Sequence, residues 1–423
     1  DDILIRVLKF NNFSVQHVMN ITDVGHLTSD ADEGEDKMEK GAKKFGLSVW
    51  DIAKKFEAQF KDSCAALNIS LPKDLMHATD YIKEQIDLIR KLEEKGFTYK
   101  TTDGIYFDTS KFPDYFKLSR QNPEDLRGGI RVDLGEKRNI SDFALWKFSY
   151  PNGRSFDKSQ DDIGSKRQME WESPWGIGFP GWHIECSAMS MKALGESFDI
   201  HTGGIDHINI HHTNEIAQAE AATGKPFVRY WVHHGFLTVE GQKMSKSLGN
   251  TYTVDDVVKE GFDPMALRYL YLQTHYRQEM NFTWDSLEGA QTALNKLRSE
   301  FASWEEARVG CAEFEQKFSE AVNDDLNMPK AVSIAWEMIK SDYPGTAKKR
   351  SLLKMDEVLG LNLAEYEPEK VKVPGEIQKL VDKREEFRAK NDYKSADKVR
   401  EQAEEQGFIL EDTAAGTVVK KKN

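Results

Sequence analysis

The sequence predicts an α/β core interrupted by an insertion, followed by an all-α bundle and a small C-terminal domain. Three observations lead there. Short apolar, alternating segments sit beside helical ones near the start, at Val15 to Ile21 (VQHVMNI), and again between Ser197 and Val239, where Asn214 to Thr223 is expected as a helix. Between these two regions, residues 98–182 are rich in aromatics, Gly and Pro, with strand-like pieces such as Gly104 to Phe107, which fits an insertion splitting an α/β core. Beyond about Asp263 the pattern is almost wholly helical.

Taken in order, Ile3, Val7, Leu8 and Phe10 form a helical stripe before the first strand. From Lys37 to about Glu94 the pattern is helical again, with Trp50, Ile52, Ala53, Phe56 and Phe60 near 3.6-residue spacing. The acidic stretch Ser29 to Asp36 reads as solvated surface. An EF-hand loop starting at Asp30 would need Gly and Glu where Glu35 and Gly41 stand. Helix breakers at Tyr343-Pro344-Gly345 and Pro374-Gly375 mark boundaries. The expected division is a catalytic domain over 1–283 with an insertion at about 98–180, a helical bundle over 284–372 and an end domain over 373–423. A length of 423 residues suits two or three domains, because single cores rarely exceed about 250–300 residues.

Composition narrows the class. With 39% hydrophobic and 30% charged residues, the chain reads as soluble and globular. It carries no apolar run near the ~20 residues of a bilayer span and opens on no signal-peptide pattern. Three scattered cysteines, Cys64, Cys186 and Cys311, are too few for a disulfide framework, and a reducing cytoplasm is expected. The formal charge is -13, from 58 basic and 71 acidic residues. Nucleic-acid binding would therefore depend on local basic patches.

Three motifs carry chemistry. Lys243-Met244-Ser245-Lys246-Ser247-Leu248-Gly249-Asn250 follows a strand-like run and a turn at Glu240-Gly241. Two lysines three apart on a loop can reach one polyphosphate and offset charge that builds on it in a transition state. Cys186, His211 and Glu215 offer a thiolate, an imidazole and a carboxylate, all zinc donors. His211 and Glu215 share a helix face at i, i+4, and His212 is an alternative donor at i, i+3. From these residues alone, a helix-surface pair and a buried inert cysteine remain open. His201-Thr202-Gly203-Gly204-Ile205-Asp206 has glycines that let backbone approach a ligand, or simply make a turn.

The octapeptide resembles the signature loop of class I aminoacyl-tRNA synthetases. The flanks Gly181-Trp182-His183-Ile184-Glu185-Cys186-Ser187-Ala188-Met189 and His211-His212-Thr213-Asn214-Glu215-Ile216-Ala217-Gln218 resemble cysteinyl-tRNA synthetases in particular. The resemblance implies a Rossmann-type catalytic domain that activates L-cysteine with ATP, with Mg2+ as its companion, and passes the cysteinyl group to tRNA(Cys). It implies that Lys243 and Lys246 serve the phosphates. His201, Gly203 and Gly204 would lie against ATP, and Thr22, Trp182 and Asp206 would face the amino acid. Cys186, His211 and Glu215 would bind one zinc. A zinc-bound substrate thiolate would separate cysteine from serine, whose hydroxyl is a poor ligand. The family also carries a His-x-Gly-His motif and a fourth zinc-binding cysteine. Both are expected upstream of Asp1, so the chain is expected to lack an N-terminal segment. Thr202, Ile210 and Thr213 depart from the family pattern, as do Gly25 and His26.

At the other end, Ile377, Leu380, Val381, Arg384 and Phe387 form one helical stripe, and Tyr393, Ala396, Val399 and Ala403 the next. Asn391 to Arg400 with Gly407 to Thr413 resembles the family's anticodon-binding module. A monomer without membrane association is expected. Two alternatives stand beside this reading: a cysteine-activating ligase of thiol biosynthesis, and a truncated, non-catalytic zinc or RNA-binding protein.

Overall fold

The computed structural model describes residues 1–24, 37–122, 136–150, 168–245, 248–305, 308–367, 373–413 and 416–421. The acidic stretch Ser29 to Asp36, Gly25, His26 and Lys246 lie outside the described residues. The chain forms two compact units, Asp1–Ala364 and Glu365–Asn423.

In the first unit, α1 (Asp2–Phe10) buries Ile5 and Val7. β1 (Met19–Ile21) then pairs in parallel with β2 (Leu75–His77), Ile21 opposite His77. The strand is shorter than the alternation from Val15 suggests, because β2 offers only three residues to pair with. Just beyond β1, Asp23 accepts hydrogen bonds from the Thr79 backbone N–H (3.0 Å) and hydroxyl (2.6 Å), fixing the strand end where Thr22 sits. Between the strands run α2 (Lys37–Phe45) and α3 (Val49–Ala66), the latter capped by Ser48, which accepts from the Asp51 N–H. α3 buries Val49, Ile52 and Cys64, whereas Trp50, Phe56 and Phe60 are exposed. The periodicity thus locates the helix, but most of the aromatic stripe faces outward.

After α4 (Ile82–Glu94) comes an antiparallel sheet in the order β3 (Thr98–Lys100), β4 (Gly104–Phe107), β5 (Phe143–Phe148), β6 (Gly178–Pro180). Its aromatics do the packing: Phe107 stacks between Phe97 and Phe143 with centroids at 5.9 and 5.1 Å. β6 runs straight into α5 (Trp182–Leu194). The junction is Gly181, where any Cβ would sit on the Ala144 carbonyl oxygen of β5. Only glycine lets the helix begin there.

The parallel pair β7 (Phe198–Gly204) and β8 (Val228–His234) is bridged by α6 (His211–Thr223), a strand–helix–strand crossover of the doubly wound kind. Gly203 lies opposite His233 and Gly204 opposite His234. α6 is buried almost all round, so it shows no strong two-faced pattern. It begins three residues before Asn214, the expected start, and so includes His211 in its first turn. β9 (Leu237–Val239) pairs in parallel with β11 (Met280–Phe282) and antiparallel with β10 (Gln242–Lys243). β11 is a short strand inside the region read as helical.

Helices α7 (Val254–Lys259), α8 (Pro264–Leu272), α9 (Trp284–Ser303), α10 (Ala312–Asn323), α11 (Met328–Lys340) and α12 (Gly345–Leu359) complete the first unit. α8 to α12 share one core through residues such as Leu270, Leu294, Phe318, Ala335 and Leu352. Both expected boundary signals start helices, Pro344 preceding α12 and Pro374 preceding α13 (Gly375–Ala389).

In the second unit α13 and α14 (Tyr393–Glu405) are followed by a hairpin of β12 (Phe408–Thr413) and β13 (Gly416–Lys421). This ending corrects the almost wholly helical reading. Val381, Ala403 and Leu410 form the small core, and Val419 packs against it. Residues 408–410 and 418–419 are too short for helical periodicity and pair across the turn instead. No helix among the described residues is long and apolar enough to cross a membrane.

Candidate metal and substrate site

The carboxyl ends of parallel strands are where open α/β folds bind ligands, and here they converge with two helix starts. α5 brings Cys186, α6 brings His211 and Glu215, β7 brings His201, Gly203 and Gly204, and β8 brings His233. Cys186 Sγ and one donor atom each from His211 and Glu215 lie within 4.8 Å of one another. His201, His212 and Glu215 meet within the same limit, so the carboxylate is common to both groups.

Glu215 is fully buried, and neither carboxylate oxygen has a hydrogen-bond partner among the described residues. Its Oε2 faces His201 Nε2 at 3.4 Å, His211 Nε2 at 3.7 Å and His212 Nε2 at 3.8 Å. The opposite ring edges are engaged: His211 Nδ1 with His183 Nδ1 at 2.9 Å, and His212 Nδ1 with His233 Nε2 at 2.9 Å. Those contacts leave the Nε2 atoms directed at Glu215.

Burial pushes the Glu215 carboxyl well above its ordinary range. Burial, with Glu215 and Glu185 beside it, does the same to the Cys186 thiol. Burial and neighbouring imidazoles move His201 down to about 4 and His211 well below its usual value. Each group is thus driven toward its neutral form. A divalent cation inverts that logic by binding thiolate, neutral imidazole and carboxylate together. The residues fit zinc: bonds of 2.0–2.3 Å place tetrahedral donors about 3.4–3.8 Å apart, a small adjustment from the arrangement here. An orphaned, fully buried carboxylate is otherwise costly.

The amino-acid side of the pocket adjoins this cluster. Trp182, half-buried, lies 4.5 Å from His211 and 6.0 Å from His207 between ring centroids. Asn20 donates both to Cys186 Sγ (3.5 Å) and to Thr22 Oγ1 (3.2 Å), joining Thr22 to the thiol. Asp206 is exposed just beyond β7, with Oδ1 close over Gly204. At Gly203 a Cβ would lie 2.8 Å from both His207 Nδ1 and His212 Nε2. His201 packs between Trp231 and His212 with its Nε2 toward Glu215.

Lys243 stands exposed at the end of the β9–β10 hairpin, whose turn residues Glu240 (φ 50) and Gly241 (φ 70) are both left-handed, as such two-residue turns require. Asn250 closes the following loop: its Nδ2 donates to the Lys243 carbonyl (3.2 Å) and its Oδ1 accepts from the Ser245 N–H (2.8 Å). The expected site residues therefore fall into a metal-type cluster with Trp182 and Thr22 beside it, and a separate phosphate-type loop carrying Lys243. Sequence reasoning missed His183, His207, His233 and Asn20. Their only signal was proximity in sequence to Cys186, Gly204, β8 and Thr22.

Residues 1–292 match the family described as tRNA synthetases class I (C) catalytic domain. The chain is 48% identical over 417 residues to Cysteine--tRNA ligase 1 of Burkholderia lata, covering 98% of this chain and 86% of the relative. It is 41% identical to the Cysteine--tRNA ligase of Treponema denticola (99% and 90% covered) and 40% identical to that of Thermus thermophilus (98% and 88% covered). Among solved structures, Mycobacterium tuberculosis methionyl-tRNA synthetase in complex with methionyl-adenylate aligns with a TM-score of 0.53 at 16% identity, covering 85% of this chain and 84% of that one. That likeness supports the Rossmann-like, mixed α/β fold.

Proposed function

The chain belongs to the cysteine–tRNA ligase family of class I aminoacyl-tRNA synthetases, and from that premise we propose that it activates L-cysteine with ATP and transfers the cysteinyl group to tRNA(Cys). The observation that carries the cysteine specificity is the thiol, imidazole and orphaned carboxylate gathered at Glu215. Cys186, His211 and Glu215 would hold zinc, which when bound supplies a site that a substrate thiolate ligates and a hydroxyl does not. Trp182 closes one wall of that pocket, and Thr22, Asn20 and Asp206 orient the amino group and carboxylate. His183 holds the ligating His211 ring in place through Nδ1, as an outer-shell partner does.

Activation joins the cysteine carboxylate oxygen to the α-phosphorus of ATP as the bond to pyrophosphate breaks. Lys243 and Lys246 meet the negative charge that gathers on the leaving pyrophosphate. Gly203 and Gly204 leave the backbone open to the adenosine. The terminal tRNA hydroxyl then attacks the adenylate carbonyl and AMP departs. Both steps ask the protein for alignment and charge stabilisation, with no protein nucleophile. A monomer in the cytoplasm, with Mg2+ on ATP, and the three-part division at 283 and 372 complete this reading. The relatives over nearly the whole chain favour tRNA as acceptor, and neither alternative acceptor nor a non-catalytic role gains support from them.

The test is cysteine-dependent ATP–pyrophosphate exchange and charging of tRNA(Cys), each repeated with serine, alongside zinc content. Cys186→Ala is expected to lower bound zinc and cysteine affinity together. Equal use of serine and cysteine by metal-free protein would overturn the reading.

A further inference from the structure

Between Lys37 and Lys61 the sequence carries seven lysines against three acidic residues, in a chain whose formal charge is -13. The same segment exposes aromatic rings. Phe45 at the end of α2 is 44% exposed, and Phe56 and Phe60 on α3 are 47% and 38% exposed. Phe45 and Phe56 meet edge to face at 6.2 Å, and Phe60 lies one helical turn beyond Phe56. Lys55 and Lys44 hold their ammonium groups 4.4 and 5.6 Å from the Phe45 ring centre. No ion pair among the described residues engages either lysine. An aromatic ledge with free cations at its edge suits unpaired nucleotides, which stack on the rings while their phosphates meet the lysines.

The helix that carries the ledge is also tied to the strands that lead to the pocket. Glu57, next to Phe56, accepts from His77 at 2.9 Å. His77 ends β2 and pairs with Ile21, the residue before Thr22. The middle of α3 is therefore anchored to the strand end that carries the amino-acid-facing residues. Resting on the ligase reading above, we propose that Phe45, Phe56 and Phe60 with Lys44 and Lys55 form a docking ledge for the single-stranded 3′ end of tRNA. The ledge would lead the terminal adenosine toward the adenylate. An apolar ledge alone would suit a second copy of the chain equally, but the local positive charge favours a polyanion.

The experiment compares Phe56→Ala/Phe60→Ala and Lys44→Glu/Lys55→Glu with the unaltered full chain. tRNA(Cys) binding is measured across a salt series with intact tRNA and with tRNA trimmed of its unpaired 3′ nucleotides. The aromatic pair is expected to weaken binding of intact tRNA about tenfold. The lysine pair should make the salt dependence shallower by about 1.4, at ~0.7 per single-strand phosphate. On trimmed tRNA all three proteins should bind alike, and pyrophosphate exchange should be unchanged. Unchanged affinity for intact tRNA, or a defect that persists on trimmed tRNA, would overturn the ledge. So would a wild-type dimer in sedimentation that the variants convert to monomer. Absence of exchange by the unaltered chain would count against the ligase reading instead, while direct binding would still decide the ledge.

Discussion

Glu215 concentrates the chemistry of the site at one side chain. It is buried beside three imidazoles, burial raises the pKa of its carboxyl group, and its oxygens make no hydrogen bond among the described residues. Protonation stabilises such a group in the folded state. In metal-stripped protein its contribution is therefore full below the unfolded value near 4.5 and is lost as pH rises through the raised folded value. Chelated protein is expected to lose denaturant stability from about pH 5 upward relative to chelated Glu215→Gln. Reloading zinc should reverse that difference, because the unaltered chain keeps the carboxylate donor that the variant lacks. A difference of the opposite sign between the chelated proteins would show that the imidazoles already neutralise the carboxylate. At this scale the sequence was informative about donors and poor about surroundings. Cys186, His211 and Glu215 were donors by type, singled out by the resemblance of their flanking segments and not by spacing, whereas His207 and Asn20 reach the pocket through folding alone, as the ring contact of His207 with Trp182 and the bond of Asn20 to Cys186 show.

At the scale of elements, short connections decide where functional groups point. Asn250 is the clasp of the Lys243 loop, bonding at both Lys243 and Ser245. Asn250→Ala removes both bonds from an exposed loop, so little change in Tm is expected. Activation should slow about 10- to 100-fold, on the scale of one or two lost hydrogen bonds at ~1–1.5 kcal/mol each. The readout is the exchange rate with cysteine at saturating ATP. Gly181→Ala acts differently, because its Cβ meets backbone on β5 that cannot swing away. A loss of about 1–3 kcal/mol or more in stability is expected, with lower zinc content because α5 must shift. Helical periodicity found α3 and the late helices, since a 3.6-residue repeat is a local property. It could not tell which side of α3 would be covered, because burial depends on Met169 and Trp171 far along the chain. The three-residue strands β1, β2, β9 and β11 left little pattern to read.

For the whole molecule, each of the two units has a core of its own. The pocket residues and the Lys243 loop all belong to Asp1–Ala364, while the C-terminal unit has its own small core of Val381, Ala403 and Leu410. A chain ending at Ala364 is therefore expected to keep cysteine-dependent exchange within about twofold, since each unit has its own core. Its charging of tRNA(Cys) should fall well beyond that. Loss of exchange on truncation would show that the units depend on each other to fold.

The passage from β6 through Gly181 into α5 has an implication for anyone seeking a minimal version of this catalyst. The antiparallel sheet of β3 to β6 resembles a removable accessory when viewed on a domain map. Yet its final strand is the springboard from which the Cys186 helix departs, and Tyr115, between β4 and β5, donates to Asn214 Oδ1 at 2.5 Å, next to Glu215 in sequence. Pruning that sheet would dismantle the Cys186–His211–Glu215 cluster along with it, so any slimmed-down design must first build another footing for the helix.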